Sequence, residues 1–301
     1  MQSRVQIYFW LALLFVFAVD LIAANAGVMT DQAGRTVRVP DDPKRIVALA
    51  PSITEIVFAL GHEHRLAGAT AYSNYPDAAK KLPRVGSYVR LDLERIVALN
   101  PDLCLATKDG NPRAVVERLD ALHIPVFAVN PVTLNTTIES IYDIGAILKT
   151  TAKAEEIVGE MRRRIERVSS LVARAEHIPR VFFQIGRMPV VSVGSDTFIH
   201  ELIVLSGGKN VAEGKVLYPK FSREQIIRLA PEVIIINSMS GQKDYAGFKK
   251  EWLKWPLLPA VQNNRIYFVD GDVFNRPSPR LVDALEELVK LIHPELMYNS
   301  Q

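Results

Sequence analysis

The chain has 301 residues, 36 basic and 33 acidic side chains, 49% hydrophobic residues and one cysteine, the composition of one large or two ordinary globular domains. A formal charge of +3 is too slight for a nucleic-acid binder, whose binding domain carries a pervasive basic bias, so no nucleic-acid partner is expected. A lone cysteine excludes an intramolecular disulfide and any cysteine-based zinc cluster. Stability must come from ordinary hydrophobic cores.

In chain order, Arg4 precedes an apolar run from Ile7 to Val19, and Ala24 and Ala26 occupy the two small-residue positions of an A-x-A cleavage site. We read residues 1–26 as a secretory signal peptide cleaved near Ala26. The alternative, a retained anchor helix, is disfavoured because 13 apolar residues fall short of the roughly 20 that cross a bilayer core. A soluble exported protein is expected. Cys104 lies in the apolar run Leu103-Cys104-Leu105-Ala106 and is expected to be a buried structural thiol.

Past the signal, short apolar runs alternate with longer segments of helical period, the pattern of β-α units on parallel sheets. Strands are predicted at Ile46 to Ala50, Leu66 to Thr70, Leu103 to Thr107, Val126 to Asn130, Val181 to Ile185, Val233 to Asn237 and Ile266 to Asp270. Between Ala152 and Glu176 there is no proline, and Ala154, Ile157, Val158, Met161, Ile165, Val168 and Val172 follow the spacing of one buried helical stripe. Glu160 and Arg164 would add an i,i+4 pair. This predicts an α/β protein of two lobes, each with a mainly parallel sheet flanked by helices, joined by one long linker helix. The corresponding boundaries are 27–150 for the N-terminal lobe, 151–177 for the linker and 178–301 for the C-terminal lobe. A surface helix within a single domain is the alternative.

The halves resemble one another. LDLERIVALNPDLCLA (residues 91–106) and FSREQIIRLAPEVIII (residues 221–236) align at a constant offset of 130, with Glu94 on Glu224, Ile96 on Ile226, Leu99 on Leu229 and Pro101 on Pro231. Each copy reads as a short helix stopped by proline and followed by a buried strand. Similarity at so large an offset suggests two lobes of related design, with a ligand between them.

Signatures of chemistry are missing: there is no G-x-G-x-x-G after a strand, no P-loop, H-E-x-x-H, G-x-S-x-G or C-x-x-C. His62 and His64 lie in a polar turn with no third ligand at zinc spacing, so no metal site and no cofactor are expected. The reading is binding without catalysis, with a secreted two-lobed α/β enzyme as the rival.

Lys44-Arg45-Ile46-Val47-Ala48-Leu49-Ala50-Pro51-Ser52-Ile53-Thr54-Glu55, Tyr72-Ser73-Asn74-Tyr75-Pro76 and Leu93-Glu94-Arg95-Ile96-Val97-Ala98-Leu99-Asn100-Pro101-Asp102-Leu103 resemble the periplasmic solute-binding proteins of ABC importers for iron-siderophores and vitamin B12. Ser222-Arg223-Glu224-Gln225 and Asp272-Val273-Phe274-Asn275-Arg276-Pro277-Ser278-Pro279-Arg280 are more similar to the B12-binding members than to the siderophore binders. The resemblance runs from about Lys44 to Leu291. It implies a monomer that captures cobalamin or a related corrinoid and delivers it to a membrane permease dimer, with an iron-siderophore or haem as the competing metal chelate. It further implies ligand contacts from Tyr72, Tyr75, Tyr88, Tyr218, Phe274 and Arg276, and permease docking by Glu94 and Glu224. A wide, flat, largely apolar ring rimmed by amides calls for aromatic faces and a few hydrogen-bonding groups, which these residue types supply.

Overall fold

The computed structural model describes residues 26–237 and 245–298; the expected signal segment, up to residue 25, lies outside the described residues. The chain opens with an antiparallel hairpin, β1 (Ala26–Thr30) and β2 (Thr36–Pro40). The first parallel sheet then forms from β3 (Ile46–Ala48), β4 (Leu66–Ala69), β7 (Leu103–Thr107) and β8 (Val126–Val129) in the order β4-β3-β7-β8. Every residue of β3, β7 and β8 is buried, as befits strands covered on both faces. Helix α1 (Pro51–Ala59) follows β3, with proline in its first turn, where the missing N–H costs nothing. The expected strand Ile46 to Ala50 is therefore shortened to Ile46–Ala48, because Leu49 and Ala50 turn into this helix.

Between β4 and β7 lie a two-residue hairpin, β5 (Gly86–Ser87) with β6 (Arg90–Leu91), and helix α2 (Leu93–Ala98). Helix α3 (Arg113–Ala121) connects β7 to β8, and α4 (Leu134–Ile147) leads into α5 (Thr151–Val172), the long helix. The second parallel sheet runs β11-β9-β13-β14, from β9 (Arg180–Gln184), β11 (Lys209–Asn210), β13 (Val233–Asn237) and β14 (Ile266–Val269). A two-residue ribbon of β10 (Val190–Val191) and β12 (Lys220–Phe221) precedes α7 (Arg223–Leu229), while α6 (Phe198–Leu205) leads into β11. The chain closes through α8 (Tyr245–Leu253), α9 (Pro259–Gln262), α10 (Gly271–Phe274), α11 (Leu281–Ile292) and α12 (Pro294–Tyr298).

Helix α5 separates the two sheets in sequence and packs on α4 from one side and on α6 and α11 from the other. Ala154, Val158, Met161 and Val168 form its buried stripe. They join a hydrophobic cluster that runs from Ile46 and Leu105 in the first half to Val181 and Leu288 in the second, so both halves share a core across this helix. The expected Glu160–Arg164 pair is not made. Arg164 reaches instead across to Asp283 at 2.6 Å and Glu286 at 2.7 Å on α11, and Glu160 pairs with Arg163 at 2.7 Å. An isolated-helix rule is overridden here by acidic neighbours on a packed partner helix, which hold Arg164 at lower solvent exposure.

Cys104 is fully buried in β7, and desolvation pushes its thiol up to about 12. His62 and His64 sit 5.6 Å apart, centroid to centroid, and among the described residues no group of three His, Cys, Asp or Glu could hold a metal ion. No helix among the described residues is long and apolar enough to cross a membrane.

Candidate functional site at the junction of the lobes

The loops that leave the carboxyl ends of both parallel sheets meet one another, the place where open α/β sheets present ligand-binding groups. From the first sheet, the loop after β4 carries Tyr72 and Tyr75, 60% and 45% exposed. Its base is rigid because buried hydroxyls tie it to α1: Thr54 donates to Ser73 at 2.9 Å, and Thr70 and Ser73 are 3.1 Å apart. Arg84 adds hydrogen bonds to the Thr70 and Ser73 carbonyls, both 2.9 Å.

Tyr88 stands at the tip of the β5-β6 hairpin. Gly86 has φ 92, and a Cβ there would lie 2.3 Å from the Arg90 carbonyl, so only glycine permits the turn. The loop after β7 meets this hairpin, where Asn111 donates to the Tyr88 carbonyl at 2.8 Å. Tyr218 comes from the other lobe, on a segment pinned beside residues 192–195. Gly194 donates to the Leu217 carbonyl at 2.8 Å and Ser192 to the Pro219 carbonyl at 3.0 Å. A Cβ at Gly194 would fall 1.9 Å from the Val216 carbonyl, which is why this approach needs glycine. The Tyr218 phenol is pushed up from its ordinary pKa, first by desolvation and then by the Asp109 carboxylate and the Tyr88 phenol beside it. Tyr88 and Tyr218 thus stand on loops of different lobes, 130 residues apart in the chain.

A cluster of charges crosses between the lobes. Arg276, in the loop after α10, is buried with only 6% of its side chain exposed. It donates to Glu55 on α1 at 3.0 Å, to the Asn74 side chain at 2.6 Å, and to Asp272. Asn74 in turn donates to the other oxygen of Asp272 at 2.7 Å. Arg280 donates through Nε and Nη2 to the two oxygens of Glu55, each at 3.1 Å, and its guanidinium lies 3.8 Å over the Tyr75 ring. Ser278 completes the set with a 2.6 Å hydrogen bond to Glu55. Glu55 is 2% exposed and receives all four of these donors from the opposite lobe. A reciprocal tie exists elsewhere: Glu201 on α6 accepts at 2.5 Å from the Leu134 backbone N–H at the start of α4.

Two of the residues expected to touch a ligand are buried. Phe274 is fully buried, 6.0 Å from the Phe183 ring in the core. Arg276 is engaged by three protein acceptors, Glu55, Asn74 and Asp272. Sequence reasoning gave no site role to Glu55, Asn74, Asp109, Asp272 or Arg280. One signal is available: Glu55 stands among Ile53, Ile56 and Val57 in a short, mostly apolar helix, and a carboxylate so placed needs a buried partner.

Glu94 and Glu224 stand in the first turns of α2 and α7, both exposed. The helices are built alike. Asp92 and Ser222 cap them by accepting from the Arg95 and Gln225 N–H groups, and Ile96 and Ile226 are the buried residues of each. Val97 and Ile227 are 37% and 39% exposed, and Asn100 and Ala230 both adopt left-handed φ, 48 and 44. The Glu224 carboxyl is held below its ordinary pKa by its own backbone N–H and the Ser222 hydroxyl, so it is ionised at neutral pH.

Two α/β lobes on one long helix, with side chains from both converging at the ends of their parallel strands, define a solute-binding protein of the single-helix-linker type. The chain belongs to the periplasmic binding protein family, whose sequence model matches residues 46–273. It is 32% identical over 246 residues to the vitamin B12-binding protein of Yersinia pestis (strain Pestoides F), covering 81% of this chain and 85% of that one. Among solved structures it is similar to the periplasmic vitamin B12 binding protein BtuF of Vibrio cholerae, at a TM-score of 0.74 and 28% identity over 87% of this chain and all of that one. It is also similar to the periplasmic heme-binding protein RhuT of Roseiflexus sp. RS-1, at a TM-score of 0.76 and 27% identity over 84% of this chain and 99% of that one.

Proposed function

We propose that this chain captures cobalamin or a closely related corrinoid between its lobes in the periplasm, without altering it, and delivers it as a monomer to the permease dimer of an ABC importer. The observation that carries the reading is the convergence of loops from opposite lobes, where Asn74 of the first meets Asp272 and Arg276 of the second and the Arg280 guanidinium lies over the Tyr75 ring; on this reading the Tyr88 and Tyr218 rings also face the ligand. Two aromatic faces grip a flat ring, and a floor of amide and carboxylate groups suits a rim of amides. The Yersinia and Vibrio relatives named for vitamin B12 support the same class. Export follows from the signal peptide read in residues 1–26, removed near Ala26. Glu94 and Glu224, one per lobe on matched helices, would meet basic groups on the two permease subunits.

Haem is the second reading, favoured by the similarity to RhuT and by the exposure of Tyr72. To decide, the mature protein is mixed separately with cyanocobalamin, cobinamide, hemin and a ferric siderophore, freed of unbound ligand by gel filtration, and scanned in the visible. Retention of equimolar corrin absorbance is expected. Retention of hemin alone would replace the corrinoid reading with haem, and retention of none would overturn both.

A further inference from the structure

The cross-lobe cluster holds two cations and two carboxylates, and Glu55 is the member that balances it. Arg276 and Arg280 bring two positive charges to the cross-lobe cluster, Asp272 returns one negative charge with a side chain 49% exposed, and Glu55, 2% exposed, supplies the second. Both oxygens of Glu55 are consumed by Arg276, Arg280 and Ser278, so it has nothing left to offer a ligand. Its effect must be exerted through the arginines. Charge-assisted bonds to Glu55 fix where their guanidinium planes lie, and with them the Arg280 face on Tyr75 and the Asn74–Asp272 contact.

We infer that Glu55 is a specificity-determining positioning residue: by neutralising Arg276 and Arg280 it keeps the floor of the site electrically neutral, and so selects a chelate with a neutral amide rim over one bearing free carboxylates. This rests on the proposed binding of a planar metal chelate. A floor with unbalanced arginines would be a ready-made carboxylate receptor, because the guanidinium fork matches that group in shape and charge. The balanced floor instead presents a hydrogen-bond acceptor, Asp272, beside guanidinium groups already satisfied by protein. A carboxylate-rimmed ligand would be desolvated there without gaining an unpaired cation. Discrimination of this kind works by making the competitor worse.

The test compares cyanocobalamin with hemin, whose two propionates supply the carboxylate rim. Glu55→Gln leaves one positive charge unbalanced. It is expected to weaken cyanocobalamin binding and to shift the ratio of the two dissociation constants toward hemin by about tenfold or more. The double variant Glu55→Gln, Arg280→Gln restores neutrality and is expected to return the ratio toward that of the unmodified protein, although it lacks the same carboxylate. Ser278→Ala, which removes one hydrogen bond to Glu55 and no charge, should leave the ratio unchanged. Far-UV circular dichroism and melting confirm that each variant folds. A loss shared equally by both ligands in Glu55→Gln, or no recovery of the ratio in the double variant, would overturn the inference and reduce Glu55 to a structural tie. Unmodified protein that retains neither ligand would overturn the chelate-binding reading and this inference with it.

Discussion

Two regions of the molecule answer the internal repeat differently. In helices α2 and α7 the copies match residue by residue: a capping side chain, an exposed glutamate, a buried isoleucine, a partly exposed apolar residue, a left-handed residue, then a buried proline. The match extends to the flanking ties. Asp102 accepts from the Arg45 backbone N–H at 3.0 Å and Glu232 from that of Arg180 at 2.9 Å, while each arginine also donates to a carbonyl at the end of its helix. At the cross-lobe cluster the copies part. The first lobe contributes the Tyr72 to Tyr75 loop and a carboxylate from α1, and the second contributes Asp272, Arg276 and Arg280 from the approach to α11. The contrast teaches that the α2 and α7 segments repeat, as the proposed docking to a two-fold partner would require, whereas the cross-lobe cluster diverges, as the proposed binding of a ligand without two-fold symmetry would permit.

The largest expected effect breaks the matched pair. Glu94→Lys with Glu224→Lys should abolish stimulation of the cognate importer in reconstituted vesicles while ligand titration and melting stay normal, since both side chains are exposed and neither joins the cross-lobe hydrogen bonds described above. Normal uptake would show that they serve only as helix-terminal charges. Next in size are the two rings: Tyr88→Ala and Tyr218→Ala should each weaken corrinoid binding by about 1 kcal/mol, read by fluorescence titration, and unchanged affinity in both would remove them from the site. A smaller effect separates the two left-handed residues. Ala230 pays for its φ of 44 with a Cβ clash that asparagine relieves by local hydrogen bonding, so Ala230→Gly should stabilise the protein by about 0.5–1 kcal/mol in urea unfolding and Asn100→Gly should not. The smallest effect concerns lobe motion. Helix α5 shares its core with both halves, and the Glu55 and Glu201 ties cross between them, so small-angle scattering should show little change in radius of gyration on adding ligand.

Much of the frame was legible because buried parallel strands are unbroken apolar runs: all seven strands expected from sequence are present within a residue or two of their ends. The fourth strand of the second sheet, Lys209–Asn210, was not, since two polar residues carry no periodicity and it forms only by pairing with Arg180 and Val181. The Val37 and Val39 alternation of the opening hairpin is short and was also passed over. At the site, aromatic residues could be picked by type, but burial could not be read from type alone. Phe274 belongs to the core because α10 turns it toward Phe183, and Arg276 is turned inward because its partner Glu55 lies 221 residues earlier in the chain. Contacts at such separation leave no local pattern.

The most direct measurement is a crystal structure of the mature protein grown with cyanocobalamin. The account predicts the corrin ring between the lobes, with Tyr88 and Tyr218 against it and its amide rim over Asn74 and Asp272, while Glu55 remains bonded to Arg276 and Arg280. A ligand bound outside the junction, or one seated with Tyr88 and Tyr218 both out of contact, would contradict it.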